Sequence, residues 1–176
     1  MKCRAVFLDR DGVINGAIIR DGKPYPPVNV REVVILPGVA EAMQRLKEAG
    51  FMLIVVSNQP DVARGTTTRE TVEAINAYLA ARLPVDRFIM CYHDNNDSCN
   101  CRKPRPGMLL AGAREFNIDL ASSYMVGDRW RDMEAGIAAG CRTFFIDYGY
   151  EEKQPKSNTL NVSSLHEAAL IIMNGE

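Results

Sequence analysis

FMLIVVS, residues 51–57, passes through six apolar residues before its first polar side chain. A half-solvated strand alternates apolar and polar residues. An unbroken apolar run that is rich in β-branched side chains suits a parallel strand covered on both faces. Such covering needs helices, and the neighbouring sequence has them. Pro37-Gly38 opens one, with Val39, Ala42, Met43 and Leu46 at helical spacing and Gly50 as its stop. Thr68, followed by Glu70 and Thr71, starts another that is expected to run to Leu83.

Further out, residues 4–9 (RAVFLD), 87–91 (RFIMC), 123–128 (SYMVGD) and 142–147 (RTFFID) read as strands. A helix led by Pro106 ends near Asn117, another covers 129–139 up to Gly140, and a last one spans 164–173 behind Ser163 or Ser164. This alternation predicts an α/β fold, a doubly wound and mainly parallel sheet. Residues 13–35, with Asp21-Gly22 and Pro24, Pro26 and Pro27, are expected to form a long flap loop. A polar stretch, 149–159, precedes the last helix.

A chain of 176 residues is expected to fold as a single domain, 1–176. Its 21 basic and 22 acidic side chains give a formal charge of −1, which argues against a general affinity for nucleic acid. A local cluster of arginines for a small phosphorylated metabolite remains compatible with that balance. No stretch approaches the roughly 18 apolar residues of a membrane span, and the N-terminal apolar run is too short for a signal peptide. A cytoplasmic monomer with reduced cysteines is therefore expected. Of the five cysteines, Cys3 and Cys141 lie beside apolar runs and read as small core residues.

In an open parallel sheet, ligands bind outside the carboxyl ends of the strands. The first strand delivers Asp9 and Asp11 there, and the second Ser57 and Asn58. A loop after the third carries Arg102-Lys103. The strand at 123–128 ends in Gly127-Asp128, with Asp132 one helical turn on. Asp9 and Asp11 lie two residues apart at a strand end and would repel each other. A hard divalent cation, Mg²⁺ with oxygen ligands, waters and a substrate phosphate oxygen, is the natural neutraliser, with Asp128 completing the ligand set.

FLDRDGVIN, VVSNQ, CRKPRPGM and VGDRWRDM resemble, in order, the four motifs of the haloacid dehalogenase phosphohydrolases, over residues 5–140. That resemblance implies a Rossmann-like core, here without room for a large cap domain, and a Mg²⁺-dependent phosphomonoester hydrolase. It makes Asp9 the nucleophile that accepts the phosphoryl group. Asp11 would protonate the leaving oxygen, then activate the water that hydrolyses the aspartyl phosphate, while its backbone carbonyl joins the Mg²⁺ ligands. Such covalent catalysis divides one hard displacement into two easier ones. Ser57 would donate a hydrogen bond to a phosphoryl oxygen and Lys103 a point charge, with Asp132 a partner behind the metal ligands.

Cys91, His93, Cys99 and Cys101 form a C-x-H-x5-C-x-C set, a full tetrahedral complement for a closed, structural Zn²⁺ site. Zinc would pin the polar 91–103 loop just before Arg102 and Lys103, supplying folding energy that burial cannot. This loop is similar to that of the D-glycero-D-manno-heptose 1,7-bisphosphate phosphatases and the related histidinol-phosphate phosphatases. Arg102 resembles a substrate-recognition arginine of the heptose enzymes, and NQPDVARG (58–65) resembles their NQSGIARG. The gap from His93 to Cys99 is shorter than theirs, and the flap after Asn15 is longer.

The expected reaction is removal of the 7-phosphate from a heptose 1,7-bisphosphate, with histidinol phosphate as the alternative substrate. Asn58, Gln59, Arg64, Arg102 and Arg129 are the expected substrate contacts, Arg64 reaching a distal phosphate. Trp130 reads as a packing residue, with the pocket mouth as the alternative place for it, and His166 reads as structural. A binding module without turnover is the alternative from another class, and intact Asp9 and Asp11 count against it. An end-processing phosphatase for nucleic acid is disfavoured by the near-zero charge.

Overall fold

Residues Arg4–Leu8 lie at the middle of the sheet because four of the five are apolar and fully buried. The computed structural model describes residues 2–156 and 158–175. In chain order the elements are β1 (Arg4–Leu8), the hairpin strands β2 (Ile18–Arg20) and β3 (Lys23–Tyr25), α1 (Val39–Glu48), β4 (Phe51–Asn58), α2 (Arg69–Ala80), β5 (Arg87–Cys91), α3 (Gly107–Phe116), β6 (Tyr124–Gly127), α4 (Trp130–Ala139), β7 (Arg142–Ile146), β8 (Leu160–Val162) and α5 (Leu165–Asn174). Six strands form one sheet in the order β5-β4-β1-β6-β7-β8, every neighbouring pair parallel.

Both faces are covered, as the apolar runs require. Val6, Leu8, Leu53 and Val55 point to one side and pack with apolar residues of α1, α2 and α5. Phe7, Ile54 and Val56 point to the other and meet Met108 and Leu109 of α3 and Met133 of α4. Each fully buried side chain of this size contributes roughly 1.5–3 kcal/mol. From β1 the chain winds outward through β4 to β5, then crosses back to β6 and continues to β7 and β8. The winding therefore reverses beside β1, and the crevice outside the ends of β1, β4 and β6 is where such a sheet accepts a ligand.

Four local features differ from the sequence expectation. The 13–35 flap contains a β-hairpin, turned by Asp21 (φ 49°) and Gly22 (φ 68°), the paired positive φ angles of a tight two-residue turn. The prolines around it mask the signal. β8 is a three-residue edge strand, too short and too exposed to show a period. α2 ends at Ala80, short of Leu83, since Leu83 precedes Pro84 and is steered away from helical backbone. Cys3 is exposed, because only its backbone joins the sheet margin, whereas Cys141 is buried and its thiol is pushed up to about 12 by that burial.

Candidate active site

Three carboxylates converge at the reversal point. Asp9 follows β1, Asp128 follows β6 and Asp132 lies in the first turn of α4; all three are buried, and their oxygens lie within 4.8 Å of one another. Close approach is built into the backbone. A Cβ on Gly12, which has φ 91°, would fall 2.0 Å from Asp128 Oδ2, and one on Gly127 would fall 2.2 Å from Asp132 Cβ. Only glycine leaves room for the acids at these two positions.

Lys103 is the cluster's internal counter-charge. Its ammonium lies 3.0 Å from Asp9 Oδ1 and 2.6 Å from Asp132 Oδ1, and donates to the Val56 carbonyl at 2.8 Å. Burial works against this cation, but Asp132 and Asp9 outweigh it and hold the amine above its ordinary value. Three carboxylates against one ammonium leave two negative charges uncompensated. Burial, then Asp132, push Asp9 up to about 6 despite the pull of Lys103; burial and Asp9 push Asp128 well above the carboxylate range. Asp128 Oδ1 is buried and accepts no hydrogen bond. A hard divalent cation fits this set in charge, donor type and an oxygen left free to bind it.

Asp11 is turned to a different partner. Arg10, the largest fully buried side chain, grips it through Nε at 3.2 Å and Nη2 at 3.1 Å, while Asn15 and Gln59 donate to it at 3.0 and 2.9 Å. Arg10 is anchored in turn by Asn76 of α2 at 3.0 Å. Gln59 also donates to Ser57 Oγ at 3.0 Å, which leaves the serine proton available to an incoming acceptor. Asn58 Nδ2 donates to the Lys103 carbonyl and Asn58 Oδ1 accepts from the Lys103 amide, both at 3.0 Å. Through their side chains, Asn58 and Gln59 thus hold protein groups.

The cysteine-rich loop follows β5. Cys91 Sγ lies 3.2 Å from Cys101 Sγ, 3.9 Å from Cys99 Sγ and 3.6 Å from His93 Nδ1. A tetrahedron with metal–sulfur bonds of about 2.3 Å has edges of about 3.8 Å, close to this spread, whereas a disulfide needs about 2.05 Å. Burial pushes the Cys91 thiol up to about 12, a cost that a bound cation relieves. Arg102 leaves this loop with Nε and Nη2 on Asn95 Oδ1 and Nη1 on the His93 carbonyl.

Around the acids opens a cavity of about 480 Å³, a size suited to a small metabolite. Asp9, Asp11, Ser57, Asn58, Arg64, Arg102, Lys103 and Arg129 line it; Gln59 does not. Arg64 is held by Asp94 at 2.6 Å and Asp61 at 3.3 Å, and Arg129 by Glu152. Trp130 lines the cavity, with Lys153 Nζ 4.1 Å from its ring centroid, the pocket-mouth alternative and not the packing one. His166 does not line the cavity and packs against Gly38.

Sequence reasoning passed over Arg10 and two tyrosines. Tyr150 donates to Asp128 Oδ2 at 2.8 Å, and Tyr148 donates to the Gly12 carbonyl at 3.0 Å. The only signal for Arg10 was its place between two acids at a strand end. The tyrosines gave none, since they lie in an aperiodic polar segment.

Residues 26–140 match the model of the haloacid dehalogenase-like hydrolases. The D-glycero-beta-D-manno-heptose-1,7-bisphosphate 7-phosphatase of Yersinia pestis is 40% identical over 151 residues, covering 79% of this chain and 77% of that protein. The enzyme of the same name from Pseudomonas putida is 36% identical, covering 85% and 86%. A crystal structure of the D,D-heptose 1,7-bisphosphate phosphatase from Bordetella bronchiseptica, complexed with magnesium and phosphate, superposes with a TM-score of 0.85 at 32% identity, over 98% of this chain and 99% of that one.

Proposed function

Because the chain belongs to the haloacid dehalogenase-like hydrolases, we propose that it is a Mg²⁺-dependent phosphatase that removes the 7-phosphate of D-glycero-D-manno-heptose 1,7-bisphosphate. The observation that carries the reading is the buried group of Asp9, Asp128 and Asp132, two charges short of neutrality and with Asp128 Oδ1 unpartnered, beside Ser57 and Lys103. Relatives of that name over most of the chain support the substrate.

In the first half-reaction Asp9 forms a bond to phosphorus, the bond from phosphorus to the sugar oxygen breaks, and that oxygen takes a proton from Asp11. In the second, Asp11 removes a proton from water, the water oxygen attacks phosphorus, and the Asp9 carboxylate leaves. Inorganic phosphate is released and Asp11 is again protonated. Ser57 donates to a phosphoryl oxygen, and Lys103 orients Asp9 while adding positive charge. Asp9, Asp128 and the Asp11 main-chain carbonyl would hold Mg²⁺, which supplies charge neutralisation to the phosphoryl oxygens when bound. Arg10, Asn15 and Gln59 fix Asp11 between turnovers.

Cys91, His93, Cys99 and Cys101 hold a structural Zn²⁺ in this reading, and no step of the reaction uses it. The test is release of phosphate from the heptose bisphosphate with Mg²⁺, the product's remaining phosphate located by NMR. Asp9→Asn is expected to lower kcat by roughly four orders of magnitude or more with the fold intact. Near-normal turnover in that variant would sink the covalent route, and a wild type inert on sugar phosphates would sink the assignment.

A further inference from the structure

The cavity wall just beyond the end of β4 holds more acid than its one cation requires. Asp94 Oδ1 accepts from Arg64 Nε at 3.1 Å and from Nη2 at 2.6 Å, and it is the chief influence holding that arginine above its ordinary basicity. Asp61 Oδ1 receives only Nη1, at 3.3 Å. One guanidinium between two carboxylates leaves one negative charge in surplus, and the longer, single contact puts the surplus on Asp61. Its Oδ2 accepts no hydrogen bond from a protein group among the described residues. The side chain is 24% exposed and lines the catalytic cavity together with Tyr25 and Pro26 at the end of the flap hairpin. Its loop is tied to itself. The Asp61 carbonyl accepts from the Thr66 and Thr67 amides at 3.0 and 3.2 Å and from Thr66 Oγ1 at 3.3 Å, and the Pro60 carbonyl accepts from the Arg64 amide at 3.1 Å. The carboxylate is therefore presented by backbone that is already ordered, which lowers the entropy a ligand must supply to use it.

We infer that Asp61 is a specificity-determining residue whose unspent carboxylate oxygen accepts a hydrogen bond from a hydroxyl of the sugar that joins the two phosphates. The inference rests on the sugar-bisphosphate reading and deepens it by naming a group that recognises the sugar and not its phosphates. A carboxylate offers acceptors only. A phosphate group brought to this wall meets a like charge. An apolar leaving group strips water from the oxygen and gives it no donor, which costs binding. A polyol supplies the donor without a charge, and a site that hydrogen-bonds a substrate hydroxyl discriminates strongly against esters lacking one. The position suits that role, because Asp61 follows Ser57 and Asn58 out of the end of β4, beside the place of the reacting phosphate and not at it.

The experiment measures kcat/KM for the heptose 1,7-bisphosphate and for histidinol phosphate, and the inhibition constant of inorganic phosphate, in the wild type, Asp61→Ala and Asp61→Asn. Asp61→Ala is expected to lower kcat/KM for the heptose ester about ten- to a hundredfold, through KM, the range of one hydrogen bond to a charged group. Inorganic phosphate fills only the place of the reacting group, so its inhibition constant should stay within about twofold. Asp61→Asn keeps an acceptor oxygen and should retain part of the lost kcat/KM. An unchanged kcat/KM in Asp61→Ala overturns the inference and leaves the phosphatase reading standing. A raised value overturns it too, since the acid then only repels the substrate. So does an equal loss for the heptose ester and for inorganic phosphate, or an Asp61→Asn no better than Asp61→Ala. A wild type that hydrolyses histidinol phosphate and not the heptose ester, or neither, removes the reading beneath the inference, which falls with it.

Discussion

Replacing Lys103 with methionine isolates the internal counter-charge of the acid cluster. The side chain is 2% exposed and its ammonium contacts Asp9, Asp132 and the Val56 carbonyl. Methionine fills similar volume, so the change removes a charge and three donors without opening a large hole. Breaking a buried ion pair by deleting one partner costs about 3–5 kcal/mol, because the remaining charges stay buried and uncompensated. For a chain of this size, 1 kcal/mol moves Tm by roughly 2–4 °C, so Lys103→Met should melt about 6–20 °C below the wild type in chelator at neutral pH. Asp132→Asn relieves the same repulsion, so the double variant Lys103→Met/Asp132→Asn should be less destabilised than the two single changes combined, by about 0.5–3 kcal/mol. Differential scanning calorimetry of the four proteins, with and without Mg²⁺, reads both quantities. A Tm loss under about 2 °C, or strict additivity, would refute the claim that Lys103 neutralises the cluster.

If the cysteine-rich loop holds the proposed zinc, removing that metal should act at a distance from the chemistry. Cys99→Ser, or a zinc chelator, is expected to lower Tm and raise KM more than it lowers kcat, because the segment carrying Arg102 loses its pin; metal content by mass spectrometry and steady-state kinetics check this. Tyr150→Phe removes the donor to Asp128 Oδ2 and should weaken Mg²⁺ binding by about 10–100-fold, read by calorimetric titration of the metal without substrate. An unchanged metal affinity would make Tyr150 a packing residue.

The sheet was legible because a parallel strand buried on both faces has to be apolar throughout, and Phe51–Val56 and Ala5–Leu8 have no other use for such runs. Asp9 and Asp128 were legible for a related reason, since a strand end fixes where its last side chain goes. Asp132 joined the acid cluster more directly than expected, its two oxygens taken by Lys103 and by the Arg129 amide at the start of α4. What stayed hidden depends on partners remote in sequence. Arg10 can be buried because Asp11 beside it takes two of its N–H groups and Asn76, 66 residues away, takes a third. Arg64 and Arg129 read as free cations until Asp94 and Glu152 arrive from other loops. β8 exists through pairing with β7 and not through any period of its own.

The two bonds between Asn58 and the backbone of Lys103 have a chemical consequence for position 58. One is given and one received, so the residue must own a donor and an acceptor on the same planar head, at a single length. Aspartate, identical in shape, would set an oxygen against a carbonyl oxygen and repel it; leucine would strand an amide and a carbonyl together. Glutamine has the right head on an arm one methylene too long. Variation there is thus constrained by the architecture of the loop that carries Lys103, whatever the substrate, and a library of all side chains at this codon should return asparagine almost alone.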